Sequence, residues 1–348
     1  MTTEMTERSR KILEVIVDDY IASGEPVGSR AVTKRHNLDL SPATVRNVMS
    51  DLEELGFLAS PHTSAGRIPT EKGYRYYVDC LLQLRELTPK EKRSIEASCP
   101  GINGLDKLFQ EAGKALSALS SHAGIVMAPR FTTTIYKQIE FVRLSRGKLL
   151  VVFVSESGLV QNKVIDADET LTQEDLVKIT NYLNEMLSGM NISEVRAKIS
   201  SEMKQERHLY DKLVGKALEL SGAVLKEELG GQLFIEGASS FLDQPGIVDM
   251  GQMKRLFRAF EQKNTLIDLL DKSQQAAGVQ IFIGSEHELA QIDGCSLVTA
   301  NYQNVHGTIG TLGVIGPSRM AYSKVIPIVD YTARLISRML ETGDDKEI

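Results

Sequence analysis

The feature that most constrains the fold of this chain is a series of helix start and stop signals in its first 85 residues. Thr6 is placed to cap a helix whose apolar residues recur every three or four positions, and Gly24 is placed to end it. Ser29 caps a second, shorter helix predicted over residues 30–36. The chain therefore begins with two short amphipathic helices joined by a tight connector.

A third helix follows with the strongest start signal of the series. Ser41 can cap its first turn, and Pro42 at the first helical position loses no hydrogen bond that the helix needs. The predicted helix runs to Leu55, where Gly56 ends it. The face opposite its apolar stripe carries short or polar side chains, which suit the recognition helix of a DNA-binding domain. The candidate DNA-contacting residues there are Ser41, Ala43, Thr44, Arg46, Asn47 and Ser50.

Two short predicted strands around a loop rich in proline, serine and glycine then form a wing. Arg67 is placed to enter a minor groove or to clamp a phosphate. Thr70 caps a fourth helix predicted over residues 71–84. The remaining candidate DNA-contacting residues are Arg30, His62, Thr63, Ser64, Lys72 and Arg75. A winged helix-turn-helix is the favoured interpretation, although three short helices and a hairpin also occur in protein-interaction domains.

The charge of the chain argues against indiscriminate coating of nucleic acid. The net charge is −6, and residues 1–80 carry ten Lys and Arg against twelve Asp and Glu. Between residues 30 and 75 the balance is only +2. Any affinity for DNA must therefore come from individually placed cations and from dimeric avidity.

The rest of the chain predicts strands, an interrupting helical block and further strands, which together indicate an α+β fold with an insertion. A helix is predicted over residues 105–120, helical periodicity from residue 170, and a final amphipathic helix over 322–340. Strands are predicted at 124–128, 136–144, 149–154, 233–236, 279–284, 296–302 and 308–315.

No enzyme, metal or cofactor chemistry is legible in the sequence. The histidines lack partners at metal-binding spacing, and three scattered cysteines make a disulfide framework improbable. An SxxK match at Ser201 lacks the companion motifs of its hydrolase class. No apolar run approaches the ~20 residues that span a bilayer, and the N-terminus is too charged for a signal peptide. We therefore expect a cytoplasmic protein that is not an enzyme, has no cofactor and contacts no membrane.

Six segments resemble those of the HrcA family, whose members are bacterial repressors of heat-shock chaperone operons. They are GEPVGSR at 24–30, SPATVRN at 41–47, PHTSAGRIPT at 61–70, KGYRYY at 72–77, DGCSLVTA at 293–300 and GTLGVIGPSRM at 310–320. The resemblance implies a GAF-like α/β domain that carries an inserted, mainly helical dimerisation domain. We expect a winged-helix domain over 1–88, a linker over 89–104, GAF-like parts over 105–169 and 276–348, and the insert over 170–275.

The resemblance also implies partners and regulation. A homodimer would bind an inverted-repeat operator on double-stranded DNA, upstream of the chaperonin and DnaK operons. A chaperonin of the GroEL type would modulate its activity. Two other functions stay open: a regulator gated by a small molecule bound beneath strands 279–315, and a chaperone-binding adaptor without DNA activity.

Overall fold

The computed structural model describes a defined part of the chain, which divides into two compact units. The described residues are 5–36, 40–62, 66–99, 105–129, 135–145, 147–156, 160–168, 171–190, 194–195, 198, 233–238, 260, 263–274, 276, 278–285, 294–304 and 307–344. The first unit comprises Met1–Met127, Leu233–Tyr302 and Thr311–Ser337. The second comprises Ala128–Gln232, Gln303–Gly310 and Arg338–Ile348.

The first unit begins with the predicted helices and wing. Its elements are α1 Glu7–Ser23, α2 Ser29–His36, α3 Pro42–Glu54, β1 Leu58–Ala59, β2 Ile68–Pro69 and α4 Glu71–Tyr76. The side-chain oxygens of Thr6, Ser41 and Thr70 each accept the backbone N–H of the third residue of the helix that follows. The two wing strands pair antiparallel. The predicted winged helix-turn-helix is therefore confirmed.

The end of this segment differs from the prediction of one helix over residues 71–84. After α4, the chain makes a π-helical turn, Tyr77–Leu81, and Leu82 is extended. The wider turn accompanies a buried Tyr77, whose hydroxyl donates to Asp18 Oδ1 of α1 at 2.6 Å. The pairing with α1 thus decides where the regular helix stops.

The predicted linker, residues 89–104, contains a well-capped helix, α5 Pro89–Ser98. Thr88 and Glu91 form a reciprocal capping box, and Glu91 also pairs with Arg85 at 2.6 Å. This pairing and the bonds from Thr88 lower the pKa of Glu91 to about 2. Because Ile95 is fully buried, the segment packs as part of the first unit.

A five-stranded sheet forms the body of the first unit. Its strands are β3 Ala123–Met127, β7 Leu233–Glu236, β8 Val279–Ile283, β9 Cys295–Asn304 and β10 Gly307–Pro317, and its order is β7-β3-β10-β9-β8. Strand β3 pairs antiparallel with both β7 and β10, as β8 does with β9. These strands lie within a few residues of their predicted limits.

Helices cover both faces of this sheet. They are α6 Leu105–Ser120, α8 Lys263–Gln274 and α9 Tyr322–Asp344. Successive residues of β3 face opposite sides, so Ile125 packs in the core with Leu269 of α8 while Gly124 faces α6. A Cβ at Gly124 would lie 2.1 Å from the carbonyl oxygen of Gly113, so α6 can approach this closely only over glycine.

The second unit contains its own sheet and helix. Strands β4 Tyr136–Ser145, β5 Lys148–Ser155 and β6 Val160–Asp166 form an antiparallel sheet, on which α7 Gln173–Leu187 packs. The β4–β5 hairpin was predicted, whereas β6 was not. Residues 199–232 of the predicted helical block lie outside the described part of the chain.

The second unit also changes the predicted domain limits. Strands β4 and β5 were assigned to the GAF-like part, 105–169, but they pair with β6 and not with the strands after residue 279. Their inward residues, such as Phe141 and Val151, share a core with Leu183 of α7. Because α7 directly follows β4, β5 and β6 in sequence, it can cover their sheet without a distant segment of the chain. The two compact units divide at 127/128 and 232/233.

Candidate nucleic-acid interface

Helix α3 presents a polar, exposed face to solvent from a firmly packed base. Its buried residues Val45, Val48, Met49 and Leu52 form one stripe, and the helix packs on α1 and α2. Ala43, Arg46, Asn47 and Ser50 are exposed on the other side, together with Ser41 and a half-buried Thr44. All six residues predicted on this face of α3 therefore lie together.

The first turn of α3 is held in place by its cap. Ser41 Oγ accepts from the backbone N–H of Thr44 at 3.1 Å and lies 2.9 Å from Thr44 Oγ1. The N-terminal end of a helix carries a partial positive charge and favours a nearby anion such as a phosphate. Arg46 and Arg30 are exposed, and neither pairs with a carboxylate within the described residues. Both guanidinium groups are therefore available to DNA.

Arg67 points into the domain instead of standing on the wing tip. Its Nη2 lies 2.7 Å from Glu53 Oε2 near the end of α3, and its Nη1 donates to Ser60 Oγ at 3.2 Å. The side chain is 25% exposed. These contacts tie the wing to the recognition helix. A contact between Arg67 and DNA stays a prediction, and it requires this pair to open.

Lys72 and Arg75 also have partners inside the first unit. Lys72 Nζ donates to the carbonyl oxygen of Leu55 at 2.8 Å and lies 4.6 Å from the centre of the Phe57 ring. It thereby caps the C-terminal end of α3. Arg75 Nη2 donates to the carbonyl oxygen of Ile281 at 2.6 Å. Both side chains support α3 and α4 in this arrangement.

The wing tip itself is only partly described. His62 is exposed, and its carbonyl oxygen accepts from Ser60 Oγ at 2.9 Å. The predicted contacts Thr63 and Ser64 lie outside the described residues, so their DNA contacts stay predictions.

Sequence reasoning missed a third backbone segment that supports the wing. Val27, in the connector between α1 and α2, pairs with Arg67 through two backbone hydrogen bonds of 2.9 Å. A Cβ at Gly66 would lie 2.5 Å from the Val27 carbonyl, so glycine is needed at this approach. The signal in the sequence was an apolar valine within an otherwise polar turn.

Two carboxylates of α1 link the helices beneath α3. Asp19 is reached by His36 Nε2 at 3.1 Å and by Arg35 Nη1 at 3.5 Å, both from α2. The neighbouring Asp18 accepts from Tyr77, and burial raises the pKa of Asp18 against the opposing effect of that hydrogen bond. These links hold the base on which the recognition helix is oriented.

No cluster of three or more His, Cys, Asp or Glu side chains with metal-binding geometry occurs within the described residues. None of the helices described has the length and apolar character to cross a membrane. A cavity of about 190 Å³ lies where Tyr74 of α4 meets Arg319 of the loop after β10. It does not lie beneath strands 279–315, where the alternative of a ligand-gated regulator places its pocket.

Two family models match nearly the whole chain. Residues 4–80 match the model described as "Winged helix-turn-helix transcription repressor, HrcA DNA-binding". Residues 106–326 match "HrcA protein C terminal domain". The first match covers α1 to α4 and the wing, and the second begins at α6 and extends into α9.

Curated relatives and a solved structure agree with these matches. The chain is 52% identical over 340 residues to the heat-inducible transcription repressor HrcA of Geobacter sulfurreducens, covering 97% of this chain and 99% of the relative. It is 40% identical over 347 residues to that of Syntrophobacter fumaroxidans, covering 99% and 100%. A crystal structure described as a hypothetical protein shares the fold, with a TM-score of 0.60, 22% identity and coverage of 97% and 99%. The chain belongs to the HrcA family of heat-inducible transcription repressors.

Proposed function

We propose that this chain represses heat-shock chaperone operons by binding an inverted-repeat operator through the N-terminal half of α3. The observation that carries the proposal is the exposed polar face of α3, where Arg46 and Asn47 lie side by side, opposite the buried apolar stripe. Arginine pairs in bidentate fashion with guanine, and asparagine with adenine, in the major groove. Ser41 and Thr44 lie at the same end of the helix, where they suit phosphate or base-edge contacts.

A homodimer is proposed because an inverted repeat presents two half-sites related by a two-fold axis. The second unit carries an apolar surface suited to this role. The outer face of its sheet exposes Val142 by 47%, Leu144 by 53%, Val160 by 59% and Val164 by 49%. Val142 lies opposite Leu150, and Leu150 opposite Val164, so these residues form a continuous row. A second copy of the chain would remove this row from water.

The insert expected over residues 170–275 was assigned to dimerisation, and its first helix, α7, carries an apolar stripe. That stripe, which includes Leu176, Ile179 and Leu183, is buried against the inner face of the helix's own sheet. Most of the exposed large apolar side chains in the described part of this unit lie on the outer sheet face.

The topology supports our proposal that activity depends on a GroEL-type chaperonin. Strands β3 and β10 are paired, yet about 180 residues separate them in sequence, and a second compact unit is inserted between them. Pairing of this kind is slow, and it exposes apolar strand edges until it is complete. The fraction of active repressor would then follow the free chaperonin. We propose that the protein acts in the cytoplasm, without catalysis.

Gating by a small molecule is the weaker alternative. Ligand pockets commonly enclose ~300–1,000 Å³. The cavity beside Tyr74 holds about 190 Å³ and lies outside the sheet.

The test is a footprint of the full-length protein on its own bacterium's chaperonin promoter, with and without chaperonin and ATP. We expect protection of both arms of an inverted repeat, with more protection after refolding in the presence of chaperonin. The variant Arg46→Ala should lose this protection, whereas Arg334→Ala, which changes an exposed arginine of α9, should retain it. Protection that is unchanged in Arg46→Ala would remove α3 from the proposal.

A further inference from the structure

The winged helix is attached to the five-stranded sheet by directional polar contacts from α4. Glu71 Oε2 accepts from the backbone N–H of Ser285 at 3.1 Å and from Ser285 Oγ at 2.8 Å. Arg75, one turn later on the same face of α4, donates to the carbonyl oxygen of Ile281. Because α4 follows wing strand β2 directly, these contacts join the wing to the end of β8.

A second contact is made by the loop after β10 at the end of α1. The guanidinium of Arg319 lies so close to Gly24 that a Cβ there would be 2.1 Å from Nη1 and 2.9 Å from Cζ. Gly24 is the left-handed C-cap of α1, with φ +73°, and the last turn of α1 contains no basic residue. The positive charge beside the negative end of this helix dipole is therefore supplied by Arg319, from the loop after β10.

The loop that carries Arg319 is held in place by the neighbouring Tyr322. Tyr322 is fully buried, and its ring centre lies 6.2 Å from that of Tyr74 on α4. The Tyr322 hydroxyl donates to the carbonyl oxygen of Ser318 at 2.9 Å and lies 2.7 Å from Ser296 Oγ. These bonds fix the residue next to Arg319 relative to the sheet.

The two contacts fix the orientation of the winged helix on the sheet, and they contribute little apolar packing. Apolar surfaces tolerate sliding, whereas a carboxylate bonded to two N–H or O–H donors has one favourable geometry. The cavity of about 190 Å³ between Tyr74 and Arg319 shows that apolar packing at this junction is incomplete. The orientation of the winged helix therefore depends on the polar contacts.

We propose that Glu71 and Arg319 are positioning residues, which set the angle of α3 and thereby the half-site spacing that the dimer accepts. The inference rests on the proposed dimeric binding of an inverted repeat. In such complexes, the separation of the two recognition helices must match the separation of the half-sites along the DNA. Neither residue belongs to the exposed face of α3, so recognition of a single half-site does not require them.

The experiment compares full-length wild type with Glu71→Ala, Arg319→Ala and Arg319→Lys. Arg334→Ala is the matched control, because Arg334 is 74% exposed and pairs with Asp330 on its own helix. Affinity is measured by fluorescence anisotropy at fixed salt, on a single half-site and on inverted repeats whose central gap varies by one base pair at a time. Thermal unfolding of each variant is recorded in parallel.

For wild type and Arg334→Ala we expect a preference of about ten-fold for one gap over gaps two base pairs away, as a fixed geometry gives a high effective concentration at one span only. Glu71→Ala and Arg319→Ala should reduce this preference to about three-fold or less, while half-site affinity changes by less than about two-fold. Arg319→Lys should restore part of the preference, because it keeps the charge at Gly24. A purely structural role would lower the melting temperature without altering the gap profile.

An unchanged gap profile in folded Glu71→Ala and Arg319→Ala would overturn the inference. If either variant fails to fold, Ser285→Ala gives the decision, because it removes one donor to Glu71 and keeps the backbone N–H. A flattened profile in Ser285→Ala supports the inference, and a wild-type profile overturns it. A wild type that binds the full repeat no better than one half-site would instead refute the proposed dimeric function, and the inference with it.

Discussion

Replacement of Arg67 by alanine distinguishes two roles for this wing arginine, contact with DNA and stabilisation of the domain. The sequence favoured a phosphate or minor-groove contact, whereas the structure pairs Arg67 with Glu53 at 2.7 Å. The two side chains are 25% and 32% exposed, so the pair is screened less than one on the open surface. We expect Arg67→Ala to destabilise the protein and to leave the salt dependence of DNA binding unchanged.

The magnitude follows from the burial of the pair. Fully exposed ion pairs contribute ~0–1 kcal/mol, and hydrogen bonds to charged groups about 1.5–3 kcal/mol. Arg67 also donates to Ser60, and its loss leaves Glu53 without its partner. A loss of about 1–2 kcal/mol in the free energy of unfolding is therefore expected. For a unit of this size, the melting temperature falls by about 2–4 °C per kcal/mol.

The assay combines scanning calorimetry with DNA-binding isotherms at several salt concentrations. Glu53→Ala should cause a similar loss of stability, and the double variant should lose less than the sum of the two single variants. Arg46→Ala serves as the opposite control, because we expect it to alter binding without altering stability. The reasoning is refuted if Arg67→Ala keeps its melting temperature while the slope of log K against log salt shrinks by about one per half-site.

Four further outcomes are expected. Arg46→Ala should weaken operator binding by about 1–3 kcal/mol and relax discrimination at one base pair. If the wild-type protein binds all single-base variants of the operator with equal affinity, this assignment is wrong. Val164→Lys should convert the dimer to a monomer in sedimentation, because it places a charge in the exposed sheet row, whereas a dimer of unchanged stability would exclude that face. Gly66→Ala should weaken operator binding by displacing the wing from Val27, as measured on the same operator, and wild-type affinity would show that the wing position is unimportant. After dilution from denaturant, operator binding should recover poorly alone and better with chaperonin and ATP; full unaided recovery would exclude chaperonin control.

The recognition helix was predictable because its signals are local. A cap at Ser41, a proline at the next position and an apolar stripe all act within a few residues of one another. The same holds for the β4–β5 hairpin, whose turn at residues 145–148 brings neighbouring segments together. Strand β6 was missed because two apolar residues, Val160 and Val164, lie on its outward face, so the alternating pattern that marks a half-buried strand is weak there.

The sequence by itself determined the winged helix, the approximate limits of most strands and the polar face of α3, because short-range capping and periodicity encode all of them. Only the tertiary structure decided how the strands are grouped into two sheets. It also decided that Arg67 faces Glu53, and that Glu71 and Arg319 hold the winged helix. Those partners are separated in sequence by 14 to 295 residues. Neither periodicity nor local propensity carries information over such distances, because the pairing depends on which surfaces meet when the chain folds.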